Sequence, residues 1–146
     1  MGLHSVTWRV NTSALDNMDL VEESLKWISG ENPTISKTKD KSFHGAQQYS
    51  ITAQTKKKKE TINSLKKLGN EILIKILEDG IENRVDDSKY LHIRLELDKL
   101  VSGEICLANK NTTSATVKGR FKIESYPGDS VIEVISNLIE TLINDA

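Results

Sequence analysis

A single cysteine, Cys106, leaves the chain unable to close an internal disulfide, and its place in an apolar run reads as inert core rather than nucleophile. Its three histidines, His4, His44 and His92, lie far apart with no metal-ligand spacing, and no second cysteine completes a zinc site. No stretch approaches the run of about 18 apolar residues that a membrane span needs. Met1-Gly2-Leu3-His4 carries neither a basic n-region nor an apolar h-region, so no signal peptide is read. Val6, where a myristoylation site needs Ser or Thr, removes that anchor as well. Also missing are a Gly-rich phosphate loop, a nucleophile elbow and a kinase signature. These absences predict a cytoplasmic protein that is not an enzyme, needs no cofactor and does not engage a membrane.

What is present is an ordinary soluble composition: 146 residues, 37% hydrophobic and 28% charged, enough for one domain over residues 1–146 with a real core. The net charge of -1 hides an uneven distribution. Lys37 to Lys67 holds nine lysines against Asp40 and Glu60, a local charge of +7. From Gly128 onward come Asp129, Glu133, Glu140 and Asp145 with no basic residue, giving -4. A basic middle in a neutral chain suits a polyanion, although a solvated lysine face has the same composition.

Taken in order, Leu3 to Val10 alternates as a strand, with His4, Val6, Trp8 and Val10 on one side. Asp16 or Asn17 caps a helix running to about Ile28, stopped by Gly30 and Pro33. Thr34 to Ser42, polar and lysine-rich, reads as an edge strand. A turn at Phe43-His44-Gly45-Ala46 leads to a returning strand, Gln47 to Thr55, with Tyr49, Ile51 and Ala53 on one side. Lys56 to Lys59 then opens a helical pattern interrupted at Gly69-Asn70, which predicts two helices or one kinked helix ending near Gly80.

The central stretch is Tyr90 to Leu97, in strict alternation: Leu91, Ile93, Leu95 and Leu97 face the core, with Tyr90, His92, Arg94 and Glu96 opposite. Arg84-Val85-Asp86-Asp87 is the turn feeding it. Asp98 to Ser102 connects, with room for one helical turn. Glu104 to Ala108 reads as a short apolar strand, Asn109 to Thr113 as a loop, and Thr116 to Ser125 as another alternating strand. A capping box, Ser130 to Glu133, opens a last helix with a broad apolar face. The economical fold is α+β: two layers, a mostly antiparallel sheet with helices packed on one face.

Such a fold leaves the polar rows of the strands together on the uncovered face. Ser5, Thr7 and Arg9, then Tyr90, His92 and Arg94, then Lys118, Arg120 and Lys122 suit RNA, whose phosphates meet cations while a base stacks on Tyr90 or His92. The same rows suit a homodimeric adaptor whose polar sheet face meets another subunit. Lys56, Lys57, Lys58 and Lys59 oppose the helix dipole, a local rule broken in the way that often marks function, unless the first of them simply point into water. Asp86-Asp87 could hold Mg²⁺ for phosphoryl chemistry, but an acidic turn pairing with Arg84 accounts for the same residues more simply.

Seven landmarks, in this order, carry a resemblance over nearly the whole chain. They are Leu3–Val10, Phe43-His44-Gly45, Lys56–Lys59, Arg84-Val85-Asp86-Asp87, Leu91-His92-Ile93-Arg94, Gly103-Glu104 and Ile123-Glu124-Ser125-Tyr126-Pro127. The chain resembles the archaeal RNA-binding proteins predicted to be exosome-associated, whose fold is similar to that of the ribosomal protein that binds 5S rRNA. The resemblance implies RNA binding rather than catalysis, a homodimer, and links to exosome or ribosome-related proteins. Ala46, where the family pattern has Asn after His-Gly, departs from it. So does Leu97, where the family carries a lysine; Lys99 lies two positions on.

The expectation is therefore an RNA-binding accessory protein of low sequence specificity, taking structured or single-stranded RNA. Lys56, Lys57, Lys58 and Lys59 are its phosphate contacts. Arg94, Lys118, Arg120 and Lys122 join them on the sheet, with His92 and Tyr90 as stacking partners.

Overall fold

The alternating segments become five strands of one sheet. A computed structural model describes residues 2–13, 18–30, 32–41, 47–109 and 115–144. The strands are β1 (Leu3–Ser13), β2 (Thr34–Lys41), β3 (Gln47–Thr55), β4 (Tyr90–Glu96) and β5 (Thr116–Ile123), in the order β2-β3-β1-β5-β4, and every pairing is antiparallel. Five α-helices are found among the described residues: α1 (Met18–Ile28), α2 (Lys58–Lys66), α3 (Asn70–Glu78), α4 (Leu97–Val101) and α5 (Val131–Asn144). This is the two-layer α+β arrangement that the periodicities predict. The expected Asp16 or Asn17 cap, the turn at 43–46 and most of the loop at 109–113 lie outside the described residues.

The helices cover one face of the sheet because that face carries the apolar parity. Val6, Trp8 and Val10 of β1, Ile51 and Ala53 of β3, Leu91, Ile93 and Leu95 of β4, and Val117, Phe121 and Ile123 of β5 are all buried. They meet Val21, Leu25 and Ile28 of α1, Leu65 of α2, Leu73 and Ile76 of α3, and Ile135, Ile139 and Leu142 of α5. Each such side chain stabilises the fold by roughly 1.5–3 kcal/mol relative to leaving it in water.

Trp8 sets the depth of this core. Its ring lies edge-on to Phe121 at 5.6 Å and rests where Gly119 has no side chain; a Cβ there would fall 2.4 Å from the indole. Its Nε1–H donates to Ser64 Oγ of α2 at 2.8 Å, and that hydroxyl donates in turn to the Ile28 carbonyl at the end of α1. A buried relay thus fixes two helices on the central strand.

Helix breaks follow local chemistry. Gly69, at φ 89°, separates α2 from α3, so the pattern is two helices rather than one kinked helix. Gly80, at φ 95°, ends the second and leads into a 3₁₀ turn, Ile81–Asn83. Ser130 Oγ accepts the Glu133 N–H at 3.3 Å, as the capping box predicts for α5.

Three local expectations need correction. A register shift between Leu3 and Ser5 puts Leu3 in the core and leaves His4 exposed, so His4 does not share the apolar side of Val6 and Trp8. Leu97 is buried as expected but begins α4 rather than continuing β4. Glu104 to Ala108 forms no strand of its own; one bridge, Leu95 to Leu107, attaches it to β4.

That bridge is half of a cover for the outer side of β4. Glu96 N–H donates to the Cys106 carbonyl and Ala108 N–H to the Arg94 carbonyl, at 2.9 and 2.8 Å. At the other end of the strand, His92 N–H donates to the Arg84 carbonyl and Asp86 N–H to the Tyr90 carbonyl, at 2.7 and 3.0 Å. The second edge of the sheet is β2, on which no described segment pairs.

Candidate nucleic-acid interface

Register decides what the uncovered face presents. Arg9 of β1 lies opposite Lys118 of β5, and Lys118 lies opposite Arg94 of β4. Three cations thus sit side by side on neighbouring strands, about 4.8 Å apart at the backbone. All three are exposed, and none forms an ion pair with a described carboxylate. They line a shallow depression of about 360 Å³ together with Asn11, Ala115 and Thr116.

Arg9, read from the sequence as part of the polar face, was not counted there among the RNA contacts. Its parity on β1 was readable, but the pairing that places it beside Lys118 joins positions more than a hundred residues apart.

The next rows hold the other sheet candidates. His92 lies opposite Arg120, which lies opposite Thr7; Tyr90 lies opposite Lys122, which lies opposite Ser5. Tyr90 is not a bare platform for a base: the Arg120 guanidinium stands 4.3 Å from its ring centroid and the Lys122 ammonium 4.6 Å. Lys122 Nζ also donates to the Ser88 carbonyl at 2.8 Å. His92 is likewise held, its Nε2 lying 2.6 Å from Asp86 Oδ2. The structure therefore places both predicted stacking residues on the face but already engages them.

Asp86 is the organiser of that end. Its Oδ1 accepts the N–H groups of Ser88 and Tyr90 at 2.9 and 3.0 Å, while Oδ2 meets His92. The His92 hydrogen bond, helped by these two backbone donors, holds its carboxyl below the usual range. Arg84, expected to pair with the acidic turn, instead reaches Asp79 at 3.6 Å. With both Asp86 oxygens engaged, the turn sets the entry to β4. Among the described residues no group of three or more His, Cys, Asp or Glu side chains could hold a metal ion.

The lysine cluster is divided. Lys56 and Lys57 precede α2, while Lys58 and Lys59 occupy its first turn, and no side chain caps the helix. Lys58 is spoken for: Glu124, just past β5, holds its ammonium at 2.8 Å through Oε2 and 3.0 Å through Oε1. The pairing raises the Lys58 pKa and lowers that of Glu124. Lys56, Lys57 and Lys59 are exposed and form no ion pair with a described residue. Other cations of the basic middle are also engaged: Lys37 pairs with Glu22 at 2.7 Å, and Lys67 donates to the Trp27 carbonyl at 2.6 Å.

The Lys58–Glu124 pair brings the start of α2, in the helix layer, to one end of β5. Lys122 precedes Glu124 by two residues, so the Lys58 pair marks the end of β5 that carries Lys122. Lys118 lies four residues back along the strand, about 13 Å away.

Comparison with known proteins agrees with this picture. The sequence model of a family described as RNA binding matches residues 5–125. Among curated proteins none matches the chain. The fold is similar to that of a DUF54 protein from Methanothermobacter thermautotrophicus, with a TM-score of 0.78 at 17% identity over 98% of this chain and 99% of that one. A DUF54 protein from Archaeglobus fulgidus gives 0.75 at 20% identity, over 96% and 99%. A UPF0201 protein from Methanococcus jannaschii gives 0.65 at 12% identity, over 92% and 98%. At these identities the likeness is one of fold.

Proposed function

The chain belongs to the family described as RNA binding, and from that premise we propose that it is a non-catalytic RNA-binding accessory protein. The observation that carries the reading is the register-aligned row Arg9, Lys118 and Arg94, three exposed cations with no carboxylate partner among the described residues, on a face that no described helix covers. Burial of the opposite face in the core leaves this one for a ligand. Its binding mode is phosphate neutralisation with release of counterions, which gives little sequence preference and strong salt dependence.

Lys56, Lys57 and Lys59, at the start of α2 near the end of β5, are further phosphate contacts in this reading, and Arg120 adds a cation on the sheet face. The use of the acidic turn supports the non-catalytic reading. Asp86 gives both oxygens to Ser88, Tyr90 and His92, which suits a structural post better than a metal ligand. A cytoplasmic location and a role beside the RNA-degrading exosome or ribosome-related proteins belong to this proposal, as does likeness to the ribosomal 5S rRNA binder. They rest on the landmarks in the sequence.

A homodimer through the polar sheet face is disfavoured by its charge. A two-fold interface sets the same patch against itself, so the cationic patch of Arg9, Arg94, Lys118 and Arg120 would face a second copy of that patch.

The experiment is titration of labelled RNA at about 50 and 200 mM salt with wild-type protein and an Arg94→Ala/Lys118→Ala variant. Wild type should bind at low salt and lose affinity steeply at high salt. The double variant should lose roughly tenfold and show a salt slope shallower by about 2. Salt-independent affinity, or a variant that binds like wild type, sinks the proposal.

A further inference from the structure

The uncovered face carries a second message, about which form of RNA it takes. We infer that the ligand is the backbone of double-helical RNA rather than an unstacked single strand; the inference rests on the RNA-binding reading above.

Its first support is the state of the rings. Proteins that hold single strands use free aromatic faces, each stacked base contributing roughly 1–3 kcal/mol. Tyr90 and His92 are the rings on the described part of this face. Arg120 and Lys122 lie within 5 Å of the first ring's centroid, at 4.3 and 4.6 Å. Asp86 holds the edge of the second at 2.6 Å. A base would have to displace a cation from Tyr90 to stack on it.

The second support is the lining of the depression among the described residues at Arg9 and Lys118. Arg9, Arg94 and Lys118 ring it with Asn11 and Thr116, and no aromatic side chain enters it. That lining fits a phosphate and offers a base no aromatic ring, only the guanidinium planes of Arg9 and Arg94.

The third is what lies beside the cations. Thr52 pairs opposite Arg9 and Thr7 opposite Arg120, so hydroxyls on β1 and β3 border the cation rows. A double-helical RNA is recognised mainly by shape, phosphates and 2′-hydroxyls across its shallow minor groove, and a hydroxyl can donate to or accept from a 2′-OH. Cation stations spread about 13 Å along β5 offer separated phosphates a contact each.

The test is a fluorescence-anisotropy comparison of wild-type protein with three probes of equal length: an RNA duplex, an unstructured single-stranded RNA, and a DNA duplex of the same sequence. The RNA duplex should bind at least tenfold tighter than the single strand and more tightly than the DNA duplex. Arg94→Ala/Lys118→Ala, with its fold checked by circular dichroism, should lose that duplex affinity. A single strand that binds as well as the RNA duplex overturns the inference while leaving RNA binding intact. A DNA duplex that binds equally removes the role of the 2′-OH and overturns it too. Failure of every probe at low salt removes the RNA reading itself, and with it the inference.

Discussion

Glu124 grips the Lys58 ammonium with both carboxylate oxygens, at 2.8 and 3.0 Å, and so ties the start of α2 to the end of β5. One consequence is electrostatic. Glu124 sets a negative charge within the lysine cluster and against whatever polyanion approaches it. Glu124→Gln should therefore raise RNA affinity by about two- to fivefold at low salt, the scale of one unit charge acting through water over several ångströms. The gain should shrink at high salt, where the charge is screened. An unchanged or weaker affinity in the RNA titration would show that the phosphates never come near Lys56 to Lys59.

The close approach of Trp8 to Gly119 gives a prediction about stability alone. A Cβ at position 119 would lie 2.4 Å from the indole, inside a core with no room to yield. Gly119→Ala should destabilise the fold by about 1–3 kcal/mol, the usual cost of overpacking. Urea unfolding followed by tryptophan fluorescence would report it. RNA affinity measured on the folded fraction should fall too if Trp8 holds β1 and β5 in the register that aligns Arg9 with Lys118.

Ser64 makes a different demand. Its hydroxyl takes the Trp8 N–H and gives its own proton to the Ile28 carbonyl, both inside the core. Ser64→Ala strands the indole donor and should cost about 1–3 kcal/mol by the same unfolding measurement. Ser64→Thr, which keeps the hydroxyl, should recover part of the loss. Equal losses in the two variants would mean that packing rather than hydrogen bonding holds this point.

Acid should weaken the fold in a defined direction. Asp86, Glu22 and Glu124 all have carboxyl pKa values below the ordinary range, chiefly because of hydrogen bonds from His92, Lys37 and Lys58 respectively. A carboxyl depressed in the folded state contributes stability above its unfolded pKa and loses it as pH falls through the folded value. The urea midpoint should thus hold near neutrality and drop below about pH 4. Asp86→Asn should lower the neutral-pH midpoint and flatten the acid limb. At the alkaline end the sign reverses: Lys37 and Lys58 are raised, so their contribution is full below the ordinary lysine range and is lost as pH rises from that range through their folded values.

Much of this architecture was legible in the sequence because it is written locally. The alternation of Tyr90 to Glu96 and Thr116 to Ile123, the break at Gly69 and the Ser130 cap each depend on a few neighbouring residues. What stayed hidden depends on long-range pairing. Nothing near Arg9 announces Lys118, nothing near Lys58 announces Glu124, and the rings counted as stacking partners gave no sign of being occupied by Arg120 and Asp86. The shift between Leu3 and Ser5 escaped for a related reason: one extra residue reverses which side chains face inward, and alternation alone cannot show where it falls.

The cover along β4 bears on how many copies can associate. Arg84 to Asp86 and Cys106 to Ala108 take up backbone groups on its outer side that another chain would otherwise use. The described fold therefore has a single pairing-competent border, β2, and a body with one such border can be joined once. Association by strand addition closes at a pair. A fibre, which needs two free borders on every unit, has no second one to grow from.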